Sequence, residues 1–468
     1  MHPMARNTTL VLAFLVLVLV MPQMVASKFP RIAVKKSIPK KVIEILKEIS
    51  HEHDLPDLII KFLNVSDKRQ PPPRNGGGVR SQLAGITDVG SYQLSIGVGT
   101  PSQIVSGVLL DINNELVWTQ CGCPLCKSTT SGGGTLFYPN KSSTVELESC
   151  KSSACQSFSP QTCSSSAPQC FFRDTYISNT PGALVTDKFW FGGGDSVNVT
   201  LGCVLLVTAE LGRGPFSLVS QLGNGRFSYY FAPNNDDGEE SFVYFADDAK
   251  PNKSSRAMST PLLESNANPS SYYVGLTGIQ VDGKDLPIPS GTFDLNQTDG
   301  SGGVILSITV PLTFLPERAY KLLEEELKSK IGLPTANGSA LGFDLCYTNK
   351  SLATVEIPAM ALVFDGNNAV MKLDKSNYFY MMDVDTGLEC LTILQWPYKA
   401  SLLGGLIQEG THMIYDVRGN KLQFESFQQQ ASPTRSDSSN NKGLLPEIFV
   451  SLLVANFLWV VLLYDVLY

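Results

Sequence analysis

Histidine is scarce in this chain of 468 residues, and its scarcity disfavours a large group of hydrolases. The sequence holds four histidines, which are His2, His51, His53 and His412. A serine or cysteine triad needs a histidine base beside its nucleophile. Only His412 lies beyond the N-terminal segments, in an alternating stretch that predicts a place on a strand surface. Triad chemistry is therefore a poor hypothesis for this protein.

Charged residues are also few, at 17%, and their signs are unevenly spread. The net charge is −7, but residues 28–80 contain 12 Lys/Arg and 6 Asp/Glu. That segment carries +6, so the remainder carries −13. An acidic body disfavours nucleic acid as a partner.

The N-terminal segments are typical of secretion. Residues 1–27 combine Arg6, an apolar run and a small-residue cleavage site, which predicts a signal peptide. Residues 28–85 form a basic segment, with a predicted helix at Pro39–Leu63 and a linker around the glycines at 76–78. Two interpretations of this segment remain open: a removable propeptide, or a solvated N-terminal extension.

The ten cysteines lie between Cys121 and Cys390 and fit an oxidising compartment. Three thiols at 121–126 have a spacing that suits zinc, but secretion favours disulfides, and we predict no metal and no cofactor. Cys346 and Cys390 are expected to pair. The pairing of the other eight stays open: Cys121, Cys123, Cys126, Cys150, Cys155, Cys163, Cys170 and Cys203. Glycosylation is predicted at the sequons of Asn140, Asn198, Asn252, Asn296, Asn337 and Asn349.

From Tyr92 to Phe427 the sequence predicts short strands, with helices near 218–222 and 316–331. One apolar run ends at Asp111, and a similar run in the second half ends at Ser307. A repeated half predicts two similar β lobes, which we place at residues 86–255 and 256–428, with a cleft between them.

The C-terminal end has a different character from the body. Residues 429–442 are a polar linker, and residues 443–468 are a hydrophobic tail. Small residues, a polar spacer and an apolar terminus predict a glycolipid-anchor signal. A transmembrane helix is the alternative.

A pair of carboxylates is the remaining catalytic hypothesis, since two aspartates that share a proton can activate water. Four motifs carry a resemblance to the plant pepsin-like (family A1) aspartic peptidases: residues 96–101, 116–121, 211–218 and 402–405. The third resembles the nepenthesin-like branch. The resemblance implies a mainly β, bilobal fold with two β-barrel-like lobes, a central cleft and one catalytic Asp-Thr/Ser-Gly turn in each lobe.

This sequence departs from the family's pattern at both turns. Asp111 stands at the first position, but Ile112, Asn113 and Asn114 replace Thr, Gly and Ser. In the family the threonine hydroxyl braces one turn against the other and the serine hydroxyl bonds the outer carboxylate oxygen. Ile112 cannot donate, which predicts loss of the brace between the two turns. Ser307 stands where the second Asp is expected, and a serine cannot share a proton. Residues 385–387 spell Asp-Thr-Gly, but they suit a loop before the strand of Cys390.

The family's flap tyrosine corresponds to Tyr176, although the Gly-Asp-Gly after it is missing. Such losses are similar to those of the xylanase-inhibitor and basic 7S globulin relatives. The resemblance implies a catalytically degenerate, monomeric protein, secreted or at the cell surface. Its expected partner is a protein or peptide in the cleft or on surface loops, such as a glycoside hydrolase. The alternatives are an active aspartic endopeptidase working at acid pH, and a storage or structural cell-wall protein.

Overall fold

A computed structural model describes residues 32–36 and 92–426, and we call the second range the body. The gaps in the body are residues 115, 122–135, 159–160, 165–166, 175–179, 191–195, 205–207, 224, 234–240, 253–255, 367–368 and 384. Several predicted features lie outside the described residues: the signal, the helix at Pro39–Leu63, the linker, Cys123, Cys126, Tyr176 and the C-terminal tail.

The first half of the body consists mainly of strands. Buried and exposed side chains alternate along a strand, as in β2: Tyr92, Leu94 and Ile96 are buried, whereas Ser95 between them is exposed. The strands to this point are β1 (Ile32–Lys36), β2 (Tyr92–Val98), β3 (Gln103–Asp111), β4 (Trp118–Gln120), β5 (Glu146–Leu147), β6 (Gln161–Ser164), β7 (Ala167–Asp174), β8 (Thr180–Trp190), β9 (Ser196–Val204), β10 (Thr208–Glu210), β11 (Arg226–Tyr230) and β12 (Ser241–Phe245).

The second half is similar in character. Its strands are β13 (Met258–Leu263), β14 (Tyr273–Val274), β15 (Leu276–Val281), β16 (Lys284–Asp285), β17 (Val304–Leu306), β18 (Thr313–Pro316), β19 (Cys346–Thr348), β20 (Met360–Phe364), β21 (Ala369–Leu373), β22 (Phe379–Asp383), β23 (Leu388–Leu391), β24 (Ile393–Trp396), β25 (Ser401–Leu403), β26 (Thr411–Asp416) and β27 (Lys421–Ser426).

The described α-helices are short apart from one. They are α1 (Ser153–Ser157), α2 (Leu218–Gln221), α3 (Glu317–Ile331), α4 (Asn349–Leu352), α5 (Lys375–Tyr378) and α6 (Gly405–Gln408). The helix α3 follows Pro316 and ends at Gly332, whose φ of 65° lies in the left-handed region that glycine tolerates. It buries Ala319, Leu323 and Leu327, as its spacing predicts.

Strands from both halves form one antiparallel sheet, which we call the interlobe sheet. Its order is β1–β12–β11–β26–β27–β13. The rings of Phe227 on β11 and Tyr415 on β26 stack with centroids 4.4 Å apart. Each half also has sheets of its own, which include β2 to β10 in the first half and β14, β17, β25, β18 and β24 in the second. The mainly β, bilobal fold class is thereby confirmed.

Four disulfides tie the described body: Cys121–Cys203, Cys150–Cys163, Cys155–Cys170 and Cys346–Cys390. The last joins β19 to β23 and is the pair expected from the sequence. Three of the four lie in the first half, where the sequence left the pairing open. Disulfides of this number fit a protein made in an oxidising compartment.

Two surface predictions have different outcomes. The six predicted glycosylation asparagines in the body are all exposed, as attachment of a glycan requires. His412, which we predicted on a strand surface, is instead 3% exposed. Its Nδ1 lies 2.9 Å from Glu425 Oε1, and this buried partner on β27 accounts for its place inside the interlobe sheet.

Among the residues that the structure describes, no helix is both long and apolar enough to cross a membrane.

Candidate functional site

Asp111 lies at the end of β3, which runs parallel to β10. Leu211 N donates to the Asp111 carbonyl at 2.7 Å, and Gly212 N donates to the Asn114 carbonyl at 3.0 Å. The loop after β3 is thus closed by the Leu-Gly pair that follows β10. A side chain at Gly212 cannot fit, because its Cβ would lie 2.2 Å from the carbonyl oxygen of Asn114.

Ser307 occupies the matching place in the second half, after β17, which runs parallel to β25. Ser307 N donates to the Leu403 carbonyl at 3.0 Å, and Gly405 N donates to the Val310 carbonyl at 2.8 Å. Val310 follows Ser307 by three residues, as Asn114 follows Asp111. The two loops therefore share the contact made by this glycine N–H, which supports the prediction that Ser307 stands at the position equivalent to Asp111.

Asp111 is 6% exposed, and its carboxylate accepts hydrogen bonds from the residues that follow it in the loop. Asn113 N donates to Oδ1 at 2.8 Å, and Asn114 Nδ2 donates to Oδ2 at 2.9 Å. Asn114 thus performs, with an amide, the contact that the family's serine hydroxyl makes. Burial raises the pKa of Asp111 to about 6, and these hydrogen bonds oppose the rise.

The raised pKa of Asp111 predicts a measurable dependence of stability on pH. The folded state holds the proton more tightly than the unfolded state, whose pKa is near 3.8. The stabilising contribution is full below pH 4 and is lost as the pH rises through about 6. Asp111→Asn should remove this loss and gain about 2–3 kcal/mol at pH 7 relative to the natural chain. Urea unfolding at pH 4 to 7 measures it; parallel profiles for the two proteins would refute it.

Asn113 corrects the expectation that the brace between the two loops is lost. The side chain of Ile112 is fully buried in the hydrophobic core and, as a hydrocarbon, cannot donate a hydrogen bond. The next residue supplies a contact between the loops instead: Asn113 Nδ2 donates to the Leu306 carbonyl at 3.0 Å, across the two halves. Asn113 Oδ1 is buried and has no hydrogen-bond partner among the described residues. The brace exists, but it is built from a different side chain.

Ser307 is fully buried, and its hydroxyl is engaged locally. Val310 N donates to Ser307 Oγ at 3.3 Å, and Thr309 Oγ1 lies 3.2 Å from it. A hydroxyl does not ionise near neutral pH, so this position supplies no second acid. In the described part of the two loops that follow β3 and β17, Asp111 is the only carboxylate.

A buried glutamine, Gln408, holds the second loop by hydrogen bonds, and the sequence did not reveal it as a site residue. Gln408 Nε2 donates to the carbonyls of Ser307 at 2.8 Å, Gly404 at 3.0 Å and Leu403 at 3.2 Å. Its Oε1 accepts from Tyr229 of the interlobe sheet. The loop of Ser307 is thereby fixed to the sheet that joins the lobes.

The Asp-Thr-Gly letters at residues 385–387 belong to neither of the two loops. Asp385 and Thr386 lie in a turn between β22 and β23, where both backbone N–H groups donate to Asp383 Oδ1. That placement agrees with the predicted loop. Tyr176, the proposed flap residue, lies outside the described residues.

Comparison with known proteins gives matches along most of the body. The family model described as xylanase inhibitor N-terminal matches residues 92–247, and the model described as xylanase inhibitor C-terminal matches residues 271–426. Two crystal structures share the fold, both with low sequence identity. EDGP has a TM-score of 0.55 at 17% identity, over 72% of this chain and 91% of that one. Soybean basic 7S globulin has a TM-score of 0.53 at 18% identity, over 72% and 94%.

Curated relatives match at higher identity. Aspartic proteinase nepenthesin-1 of Nepenthes gracilis is 32% identical over 357 residues, which cover 73% of this chain and 79% of that protein. Protein ASPARTIC PROTEASE IN GUARD CELL 2 of Arabidopsis thaliana is 32% identical over 341 residues, 70% of each chain. This chain therefore belongs to the plant pepsin-like aspartic protease family and carries its xylanase-inhibitor-type N-terminal and C-terminal domains.

Proposed function

We propose that this protein binds a protein or peptide ligand and does not cleave it. The observation that supports the proposal is the buried hydroxyl of Ser307, hydrogen-bonded by Val310 N, at the position equivalent to Asp111. Peptide hydrolysis in this family needs two carboxylates that share one proton. The loops meanwhile keep their bracing, so the scaffold is maintained without the pair.

The ligand class that we test first is a secreted glycoside hydrolase, held between the lobes or on surface loops. The support is the match to two family models whose descriptions refer to xylanase inhibition. An active endopeptidase is the second candidate, favoured by the retained, buried Asp111 with its pKa near 6. A storage or structural role in the cell wall is the third.

One experiment separates binding from proteolysis. The purified full-length protein is incubated with a denatured protein at acid pH, with and without pepstatin, beside Asp111→Asn. We expect the natural chain and the variant to show the same pepstatin-insensitive background. In parallel, plant and microbial xylanases are titrated with the protein, and we expect stoichiometric loss of activity for at least one. Pepstatin-sensitive cleavage that disappears in Asp111→Asn would establish the endopeptidase instead.

For the location we propose the cell surface, reached through the secretory pathway, with a lipid replacing the hydrophobic tail. The composition of residues 429–468 supports this proposal. A phosphatidylinositol-specific lipase should release the protein from intact membranes. Retention after treatment would identify the tail as a transmembrane anchor.

A further inference from the structure

The N-terminal strand β1 is the outermost strand of the interlobe sheet. Residues 32–34 pair antiparallel with residues 241–243 of β12. Residues 35–36 then pair antiparallel with residues 92–93 of β2. This short strand, taken from the basic segment ahead of the body, therefore joins the interlobe sheet to the first strand of the N-terminal lobe.

The position of its last residue has a consequence for the chain that follows. Lys36 is the direct partner of Tyr92, and facing residues of an antiparallel pair have Cα atoms about 5 Å apart. The two ends of the intervening chain, Lys36 and Tyr92, thus lie at neighbouring points of the sheet. A cut anywhere in residues 37–91 breaks none of the strand pairings of β1.

Tyr92 fixes this junction firmly to the body. Its side chain is 2% exposed, and its hydroxyl donates to Glu409 Oε1 at 2.7 Å. Its ring stacks on Phe231, with centroids 3.4 Å apart. The strand that receives the end of β1 is therefore held by buried contacts to both the interlobe sheet and the second half.

The pairing of β1 with β12 also covers a strand edge that would otherwise be open. Without β1, residues 241–243 of β12 would lose a hydrogen-bonded neighbour, and open strand edges recruit other chains. Charge also favours retention of β1 by the body, because residues 28–80 carry +6 and the remainder of the chain carries −13.

From these observations we infer that residues 32–36 are a permanent strand of the folded body, so that cleavage within residues 37–91 gives a two-chain protein. The described part of the basic segment is thus neither disposable nor a solvated extension. Its strand stays in the interlobe sheet, and its presence keeps the edge of β12 closed.

The test introduces a cut at a known place. Residues 75–78 of the full-length protein are replaced by the recognition sequence of a site-specific protease, and the purified protein is cut under native conditions. We expect the two chains to elute together in size-exclusion chromatography and to separate only in denaturant. Amide hydrogen exchange should show protection of residues 32–36 before and after the cut. Elution of the N-terminal chain as a free fragment would overturn the inference.

A matched pair of variants tests whether β1 holds the chains together. Ala33→Pro with Val34→Pro removes successive backbone donors, one of which faces β12, and should speed release of the cut fragment by about tenfold or more. Asp67→Pro with Lys68→Pro introduces the same two prolines outside the strand, leaves the net charge unchanged and should leave release unchanged. Loss of secretion in the first variant alone also supports the inference. Equal release rates for both variants, with both secreted, would contradict it.

Discussion

Restoring the family's residues at the first loop, together with an aspartate at position 307, is expected to create pepstatin-sensitive proteolysis at acid pH, above any cleavage by the natural chain. The variant combines Ile112→Thr, Asn113→Gly, Asn114→Ser and Ser307→Asp. Its second carboxylate would occupy a buried place beside donors that already exist, Val310 N and Thr309 Oγ1. Two carboxylates at equivalent positions can share a proton and serve as base and acid. We expect a gain of ~100-fold or more over background cleavage.

The partial variants locate the cause of the gain. Ser307→Asp alone should stay near background, because the Asn113 side chain still bridges to Leu306 between the loops. The full variant with Asp111→Asn added should lose the activity. If the natural chain already cleaved as fast as the full variant, the proposal of a degenerate site would be wrong.

Gly404→Ala is expected to be among the most destabilising single substitutions in the body. A Cβ at this position would lie 2.2 Å from the carbonyl oxygen of Leu312 and 2.6 Å from that of Pro311, and both are backbone atoms that cannot rotate away. The loop beside Ser307 would have to shift, and we expect a loss of about 3 kcal/mol or more in the free energy of unfolding. Urea unfolding followed by tryptophan fluorescence measures it.

The matched control for this substitution lies in β15. A Cβ at Gly278 meets no atom within 4 Å, so Gly278→Ala should change stability by less than about 0.5 kcal/mol. Equal effects of the two substitutions would show that the close packing beside Ser307 is relaxed in solution.

Much of this architecture could be predicted from local patterns. The apolar runs that end at Asp111 and Ser307 identified the equivalent loops, because a buried strand has a recognisable composition. The pairing of Cys346 with Cys390 followed from their being the two cysteines of the second half. These features depend on residues near one another or on simple counting.

The features that the sequence did not reveal depend on partners far away along the chain. Asn113 meets Leu306 across a separation of 193 residues, so nothing near Asn113 indicates a brace. Gln408 contacts the Ser307 carbonyl across 101 residues. The residues of β1 form a short, basic strand whose role is visible only when β12 lies beside it. Each of these contacts is made to a backbone group, and backbone groups carry no sequence signal.

The interlobe sheet also determines when this protein can finish folding. Its strands come from the first described residues and the last: β1 begins at Ile32, and β27 ends at Ser426. At typical rates of synthesis of about 5–20 residues per second, β11 waits roughly ten seconds or more between its own synthesis and that of its partner β26. During that time β11 has no partner on one side, and such long-range pairing is slow to form. The first lobe is therefore the part of the nascent chain that chaperones have most reason to protect.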